Sequence, residues 1–302
     1  MKKIIYSLYI DIDKSELDWQ KPYDWDSDAM PKTERTKLLF QEHYNWLKQR
    51  QLEYAEAINV EYRLYENDKA WYDYKEMFAK KYPQITAYNV VNFYKIHLLN
   101  ELAKEYDEVL YLDFDVVPLN NDNFFESHDL QNNGIAILKN NSHIHFDYHK
   151  ITKDAYKRMK YDRKISNRSP TAKYWNARAM LIESDQSGEN DVFNTGIIGA
   201  SAKDIKELNY FDNFDKTLKL MDSLVNDDTE MWPIHLIETF GWDNETIWSY
   251  KVKMNDIKIQ WLNEKWHHFL DKWDYIPANT TLCHVINKKF DFVKNWYEKN
   301  SL

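Results

Sequence analysis

The stretch Val109-Leu110-Tyr111-Leu112-Asp113-Phe114-Asp115-Val116-Val117-Pro118 decides how this chain is read. Its first four residues are apolar or aromatic, as in a central parallel strand covered on both faces. One strand is expected over Val109 to Val117, ended by Pro118, because proline cannot continue a ladder. Side chains two apart on a strand share a face, so Asp113 and Asp115 point together, with Phe114 opposite. Their Cα atoms would stand about 6.6 Å apart in extended chain. The carboxyl end of a central strand is where open α/β sheets bind ligands. Two carboxylates held close repel, and one tends to stay protonated. A divalent cation removes the conflict, and hard oxygen ligands suit Mn²⁺ or Mg²⁺. A solvated strand end with two surface acids fits the same short D-x-D pattern.

The flanking sequence supplies the frame. Ile4 to Ile10 and Val60 to Tyr65 are expected strands, as are Gly134 to Leu138 and Phe193 to Ala200. Helical spacing marks Thr33 to Ala57, where Leu39, His43, Trp46, Leu47, Arg50 and Tyr54 form a stripe, and Val90 to Tyr106. Asp68 to Lys80 reads as a short helix opened by an Asp cap, and Ala202 to Val225 as a long one. Strands alternating with helices define an α/β fold with a mostly parallel central sheet, Rossmann-like, flanked by helices. Residues 140–190 are polar and aperiodic, and are read as an insertion over one end of the sheet. With no internal repeat or linker, residues 1–302 are expected to form one decorated domain.

Composition narrows the function classes. Net charge is −9, from 40 Lys+Arg against 49 Asp+Glu, and no long basic run occurs, which disfavours nucleic-acid binding. A phosphorylated substrate would need local help from a metal ion or placed lysines. The one cysteine, Cys283, excludes an intrachain disulfide and fits a reducing compartment. Asp11 and Asp13 interrupt the N-terminal apolar run too early for a signal peptide, and no stretch approaches a membrane span. A soluble, cytoplasmic protein is expected; its oligomeric state is not readable. Aromatic content is 16%, and Trp261, Trp266 and Trp273 are candidates either for stacking on a glycan or for core packing.

Other acidic and histidine runs are weaker. Asp11-Ile12-Asp13 is followed by charged, turn-like residues and reads as a wet strand end. Asp24, Asp26 and Asp28 mimic a calcium loop, but Ala29 and Arg35 stand where it needs Gly and Glu. His143, His145 and His149 lie in a polar stretch without nearby Cys and read as a loop.

From Val91 to Pro118 the chain resembles the donor-site segment of GT-A-fold glycosyltransferases, nearest to glycosyltransferase family 8 and its relatives. In those proteins a helix with a basic residue precedes an LYLDxD strand whose D-x-D holds Mn²⁺ on a nucleotide-sugar diphosphate. The resemblance implies that Asp113 and Asp115 are metal ligands. Lys95 falls where the family has Arg, so a point charge replaces a bidentate fork. Phe193-Asn194-Thr195-Gly196 is similar to the strand lining the sugar pocket. Asp243-Asn244-Glu245 is similar to the segment beside the transferred sugar, with Asn244 in place of Gln. Cys283-His284 resembles the start of the late H-x-x-G-x-x-K, whose His is the third metal ligand and whose Lys contacts phosphate. Here Asn287 and Phe290 hold the Gly and Lys places, and Lys288 and Lys289 are the nearby lysines.

What the resemblance implies is a hexosyltransferase moving a sugar from a UDP-sugar or similar donor to a glycan or other hydroxyl acceptor, with retention. Asp113, Asp115 and His284 would hold the metal. Asp243 and Asn244 would be catalytic, and Ser7, Leu8, Lys95, Phe114, Asn194, Gly196 and Lys288 would bind the donor. Blander roles stay open: Asp243 and Asn244 as a helix cap, Asn194 and Gly196 as a bulge, His284 as a core histidine. Two other functions also stay open. A haloacid dehalogenase-type phosphatase would use Asp113 as nucleophile, with Asp227-Asp228 as its late acidic pair. A carbohydrate-binding GT-A domain would have lost the chemistry.

Overall fold

The structure is a computed structural model that describes residues 1–16, 32–85, 87–140, 170–227, 231–232, 237, 240–271 and 273–300. In chain order its strands are β1 (Lys3–Leu8), β2 (Glu61–Tyr65), β3 (Glu108–Asp113), β4 (Val116–Pro118), β5 (Ile135–Lys139), β6 (Phe193–Ser201), β7 (Ile259–Trp261), β8 (His268–Phe269) and β9 (Leu282–His284). Its helices are α1 (Lys32–Ala57), α2 (Lys69–Lys81), α3 (Ala87–Leu102), α4 (Phe124–Ser127), α5 (Pro170–Glu183), α6 (Ala202–Leu208), α7 (Phe214–Val225), α8 (Asn244–Met254) and α9 (Phe290–Asn300). No helix among the described residues is long and apolar enough to cross a membrane.

The expected α/β class and mostly parallel sheet are found. Six strands run in the order β2-β1-β3-β6-β5-β7, and β6 is antiparallel to the other five. Both faces are covered, which is why β3 reads as an unbroken apolar run. Ile4, Tyr6, Val109 and Tyr111 pack with α2 and α3 residues such as Trp71, Tyr94 and Leu98. Ile5, Leu110 and Leu112 pack on the other face with Tyr54 and Phe124. Burying each such aliphatic side chain contributes about 1.5–3 kcal/mol.

Two local expectations are corrected. The strand expected over Val109 to Val117 breaks at a turn on Phe114 and Asp115, and its second half, β4, belongs to another sheet. That small sheet has the order β4-β9-β8, and Pro118 lies inside it, opposite Leu282. The turn is possible because the buried amide of Gln51 donates to the carbonyls of both Asp113 (3.0 Å) and Val116 (2.9 Å). The helix expected over Ala202 to Val225 is two helices, separated by Asn209 and Asn213 in left-handed conformation, which Asn tolerates better than most residues. Within the polar stretch 140–190, residues 170–183 form α5, whose Ala172, Ala177, Ala179 and Met180 are buried and which packs against α8.

Candidate metal centre

Register brings the site together. β1 pairs with β3 so that Leu8 stands beside Asp113. β6 runs back along β3 with Ile197 opposite Leu112, which sets Asn194 to Gly196 at the same end of the sheet. The ladder between β5 and β6 jumps from Ile137–Ile198 to Leu138–Asn194, so Thr195 to Ile197 bulge out of it. In the small sheet His284 pairs with Val116, one residue beyond Asp115. Asp115 and His284, 169 positions apart in sequence, thereby share one site.

Asp113, Asp115 and His284 each offer a ligand atom, and these atoms all lie within 4.8 Å of one another. Nε2 of His284 is 3.7 Å from Asp113 and 3.5 Å from Asp115. Two carboxylate oxygens and an imidazole nitrogen form a donor set that suits a divalent ion such as Mn²⁺. Asp115 and His284 are buried, whereas the side chain of Asp113 keeps 28% exposure, so the cluster opens on the Asp113 side. Burial pushes the carboxyl of Asp115 up, but the charges of Lys288 and His284 outweigh it and hold the group below the usual carboxylate range.

Each carboxylate also has its own ammonium. Lys95, from α3, is 4% exposed and lies 3.4 Å from Asp113, donating as well to the carbonyl of Thr195 at 3.0 Å. The hydroxyl of Tyr111 donates to the same Asp113 oxygen. Lys288 pairs with Asp115, and its amine lies over the ring of Phe40. Its φ of 60° puts it in the left-handed region, a strained conformation for lysine that aims the side chain at the cluster. Lys289 turns outward to Asp274 at 2.6 Å. Of the two lysines read from the sequence, Lys288 is therefore the one at the site.

The other expected residues fall around this cluster in several ways. Gly196 makes room for His284: a Cβ there would lie 2.3 Å from Cε1 and 2.7 Å from Nδ1 of the imidazole. Asn194 folds its carbonyl onto the Gly196 amide at 3.0 Å. Ser7 is fully buried, with its hydroxyl on Gln51 at 2.6 Å. Leu8 is core, and Phe114 packs among Tyr9, Phe40 and Tyr44. Asp243 caps α8, accepting from the amides of Glu245 and Thr246. Burial pushes its carboxyl up despite Lys173 nearby. Asn244 is buried and donates to the Thr195 hydroxyl at 2.9 Å. Trp266 is core, whereas Trp261 and Trp273 are 40% and 79% exposed. Asp11 pairs with Lys37, and Asp13 with Ser15. The runs at Asp24–Asp28 and His143–His149 lie outside the described residues.

Three further residues at the site are not among the expected site residues. Glu245 accepts from both the amide and the hydroxyl of Thr195 and pairs with Lys173. Burial raises its pKa, but Lys173 and these hydrogen bonds bring it below the ordinary glutamate value. Gln51 occupies the α1 stripe four residues after Leu47 and three before Tyr54, so a buried amide stands in an apolar row. His267, just before β8, places Nε2 3.0 Å from Nδ1 of His284. Burial first, then His284, push its imidazole well below the ordinary histidine value, so it is neutral at pH 7.

The geometry thus defines a compact Asp-Asp-His cradle with two flanking lysines at the carboxyl edge of the sheet. No family model matches this sequence, and no curated protein does. Solved structures share a distant likeness. A glycosyltransferase involved in glycosylating the major capsid of PBCV-1 matches with a TM-score of 0.47 and 11% identity, over 100% of each chain. Mouse xyloside xylosyltransferase 1 in apo form matches at 0.41 and 10%, over 75% of this chain and 76% of that one. The galactosyltransferase LgtC in complex with donor and acceptor sugar analogues matches at 0.40 and 11%, over 94% and 87%.

Proposed function

We propose that this chain is a metal-dependent GT-A glycosyltransferase. It would move a hexose from a nucleotide-diphosphate sugar, UDP-sugar first, to a hydroxyl of a glycan acceptor with retention. The observation that carries this reading is the convergence of Asp113, Asp115 and His284, flanked by Lys95 and Lys288, at the ligand-binding edge of the sheet. These three residues would hold the ion, and a bound Mn²⁺ or Mg²⁺ supplies neutralisation of the negative charge on the leaving diphosphate.

The chain's own residues supply the rest. Tyr111 and Lys95 occupy one oxygen of Asp113 and so orient the other toward His284. Lys95 is buried, so it acts on the donor through Asp113 and Thr195 rather than by reaching a phosphate itself. Lys288 keeps 16% exposure and is the ammonium that would turn from Asp115 to a phosphate oxygen. Asn194, at the bulge, and Asn244, held by Thr195, border the position expected for the sugar. Asp243 and Glu245 are both spent on partners within the protein, which favours direct attack by the acceptor hydroxyl over a carboxylate nucleophile. The phosphatase reading is less well supported. Asp113 is held by Tyr111 and Lys95, Asp227 accepts from the Trp232 amide, and Asp228 lies outside the described residues.

The test is incubation with a panel of UDP- and GDP-sugars, with Mn²⁺ or with EDTA, and detection of released nucleotide. Metal-dependent release that disappears in Asp115→Ala supports the transferase, and the anomer of the product decides retention. Cleavage of phosphate esters alone establishes the phosphatase. Sugar binding without turnover establishes a binding domain.

A further inference from the structure

His267 lies 17 residues before His284 and is 2% exposed. Its Nε2 and the Nδ1 of His284 stand 3.0 Å apart, so the two rings share one proton, one nitrogen donating and the other accepting. If His267 donates, a neutral His284 carries its own proton on Nε2, facing Asp113 and Asp115 at 3.7 and 3.5 Å. A protonated Nε2 cannot ligate a cation. If His284 donates, Nε2 is a bare lone pair in line with the two carboxylates.

We propose that His267 is a positioning residue: it accepts the Nδ1 proton of His284 and thereby presents Nε2 of His284 to a divalent cation. This rests on the metal-site reading and goes beyond it, because it assigns a role to a residue outside the ligand set. Ring orientation agrees. His284 is confined by Gly196 on one side and by the ring of Phe269, 5.4 Å away, on another, so Nδ1 has His267 as its partner. A second observation concerns His267 itself. With Nε2 accepting, its own proton sits on Nδ1, a buried atom without a hydrogen-bond partner among the described residues. An unsatisfied buried N–H costs stability. Nδ1 is unpartnered in either tautomer, so among the described residues the hydrogen-bonding capacity of the His267 ring is directed at His284. Ligating histidines commonly give their second N–H to a carboxylate, a carbonyl or water, and the loss of that partner weakens metal binding. Here a neutral imidazole fills the place.

The experiment is a calorimetric Mn²⁺ titration, without nucleotide, of the wild type, His267→Leu and His267→Gln. Leu removes the acceptor, and Gln restores one through its side-chain carbonyl. Leu is expected to lower Mn²⁺ affinity by about 10- to 100-fold, and Gln to recover most of the loss. Nitrogen-15 ring spectra of the wild type with Zn²⁺, a diamagnetic probe, should show His284 protonated on Nδ1 and metal-shifted on Nε2. These spectra decide the matter even where a variant does not fold. Unchanged Mn²⁺ affinity in a folded His267→Leu, a Gln variant as weak as Leu, or metal on Nδ1 of His284 would each overturn the proposal while leaving the metal site standing. A wild type that binds neither Mn²⁺ nor Zn²⁺ would overturn both.

Discussion

Replacing Gly196 by Ala tests whether the His284 ring is held where a cation would need it. The added Cβ would sit 2.3 Å from Cε1 and 2.7 Å from Nδ1 of His284, closer than real contacts allow. The third obstacle is the side-chain carbonyl oxygen of Asn194 at 2.9 Å, already held by the Gly196 amide. Relief therefore requires the imidazole to swing, which breaks its 3.0 Å bond to His267 and turns Nε2 away from Asp113 and Asp115. Overpacking of this kind costs about 1–3 kcal/mol. The melting temperature should fall by about 2–4 °C per kcal/mol for a domain near this size. Mn²⁺ affinity should fall by tenfold or more, on the order of the loss of an outer-shell partner. Gly199→Ala is the control within the same strand. Its Cβ would lie 2.4 Å from Cε1 of Phe124, a comparable clash against a side chain outside the cluster. It should lower the melting temperature comparably and leave Mn²⁺ affinity intact. Thermal denaturation and calorimetry on the pair are the assay. A Gly196→Ala protein with wild-type Mn²⁺ affinity, or a Gly199→Ala protein that loses it, would refute the reasoning.

Gln51→Leu removes hydrogen bonds to Ser7, Tyr62 and the carbonyls of Asp113 and Val116. It should destabilise the protein by on the order of 3 kcal/mol, read by urea unfolding, because buried groups are left unpaired; a midpoint within error of wild type would count against Gln51 as the clamp of the Asp113–Val116 turn. Glu245 has a folded pKa below its ordinary value of 4.5, so its contribution to stability is complete above that pH and is lost as pH falls through the folded value. Glu245→Gln should therefore show a shallower loss of stability below about pH 4.5 than the wild type, and parallel acid limbs would show the pairing with Lys173 to be weak.

Much of this arrangement was legible in the sequence, and the reasons differ by element. The β3 run and its terminal aspartates stood out because a strand buried on both faces must be apolar throughout. The small sheet did not, because β8 and β9 are two and three residues long, too short for any periodicity to register. Its absence from the sequence reading made β3 and β4 look like one strand. The approach of His284 to Asp115 is a long-range register, and residue spacing alone does not encode it; only the resemblance to a known motif pointed there. Asp243 and Asn244 drew attention as a motif, while the adjacent Glu245 makes the stronger contacts. Gln51 left a signal in the form of a polar residue at the spacing of an apolar stripe. His267 left none, since His267-His268 between Trp266 and Phe269 reads as an ordinary core feature.

The central claim is that Asp113, Asp115 and His284 hold a cation that in turn holds a nucleoside diphosphate. Calorimetric binding of UDP to the wild type and to Asp115→Asn, each with Mn²⁺ and with EDTA, tests it most directly. The wild type is expected to bind UDP in Mn²⁺, with affinity lowered at least about tenfold by EDTA and by Asp115→Asn. Equal UDP affinity in Mn²⁺ and EDTA, or an Asp115→Asn protein that binds as the wild type does, would contradict it.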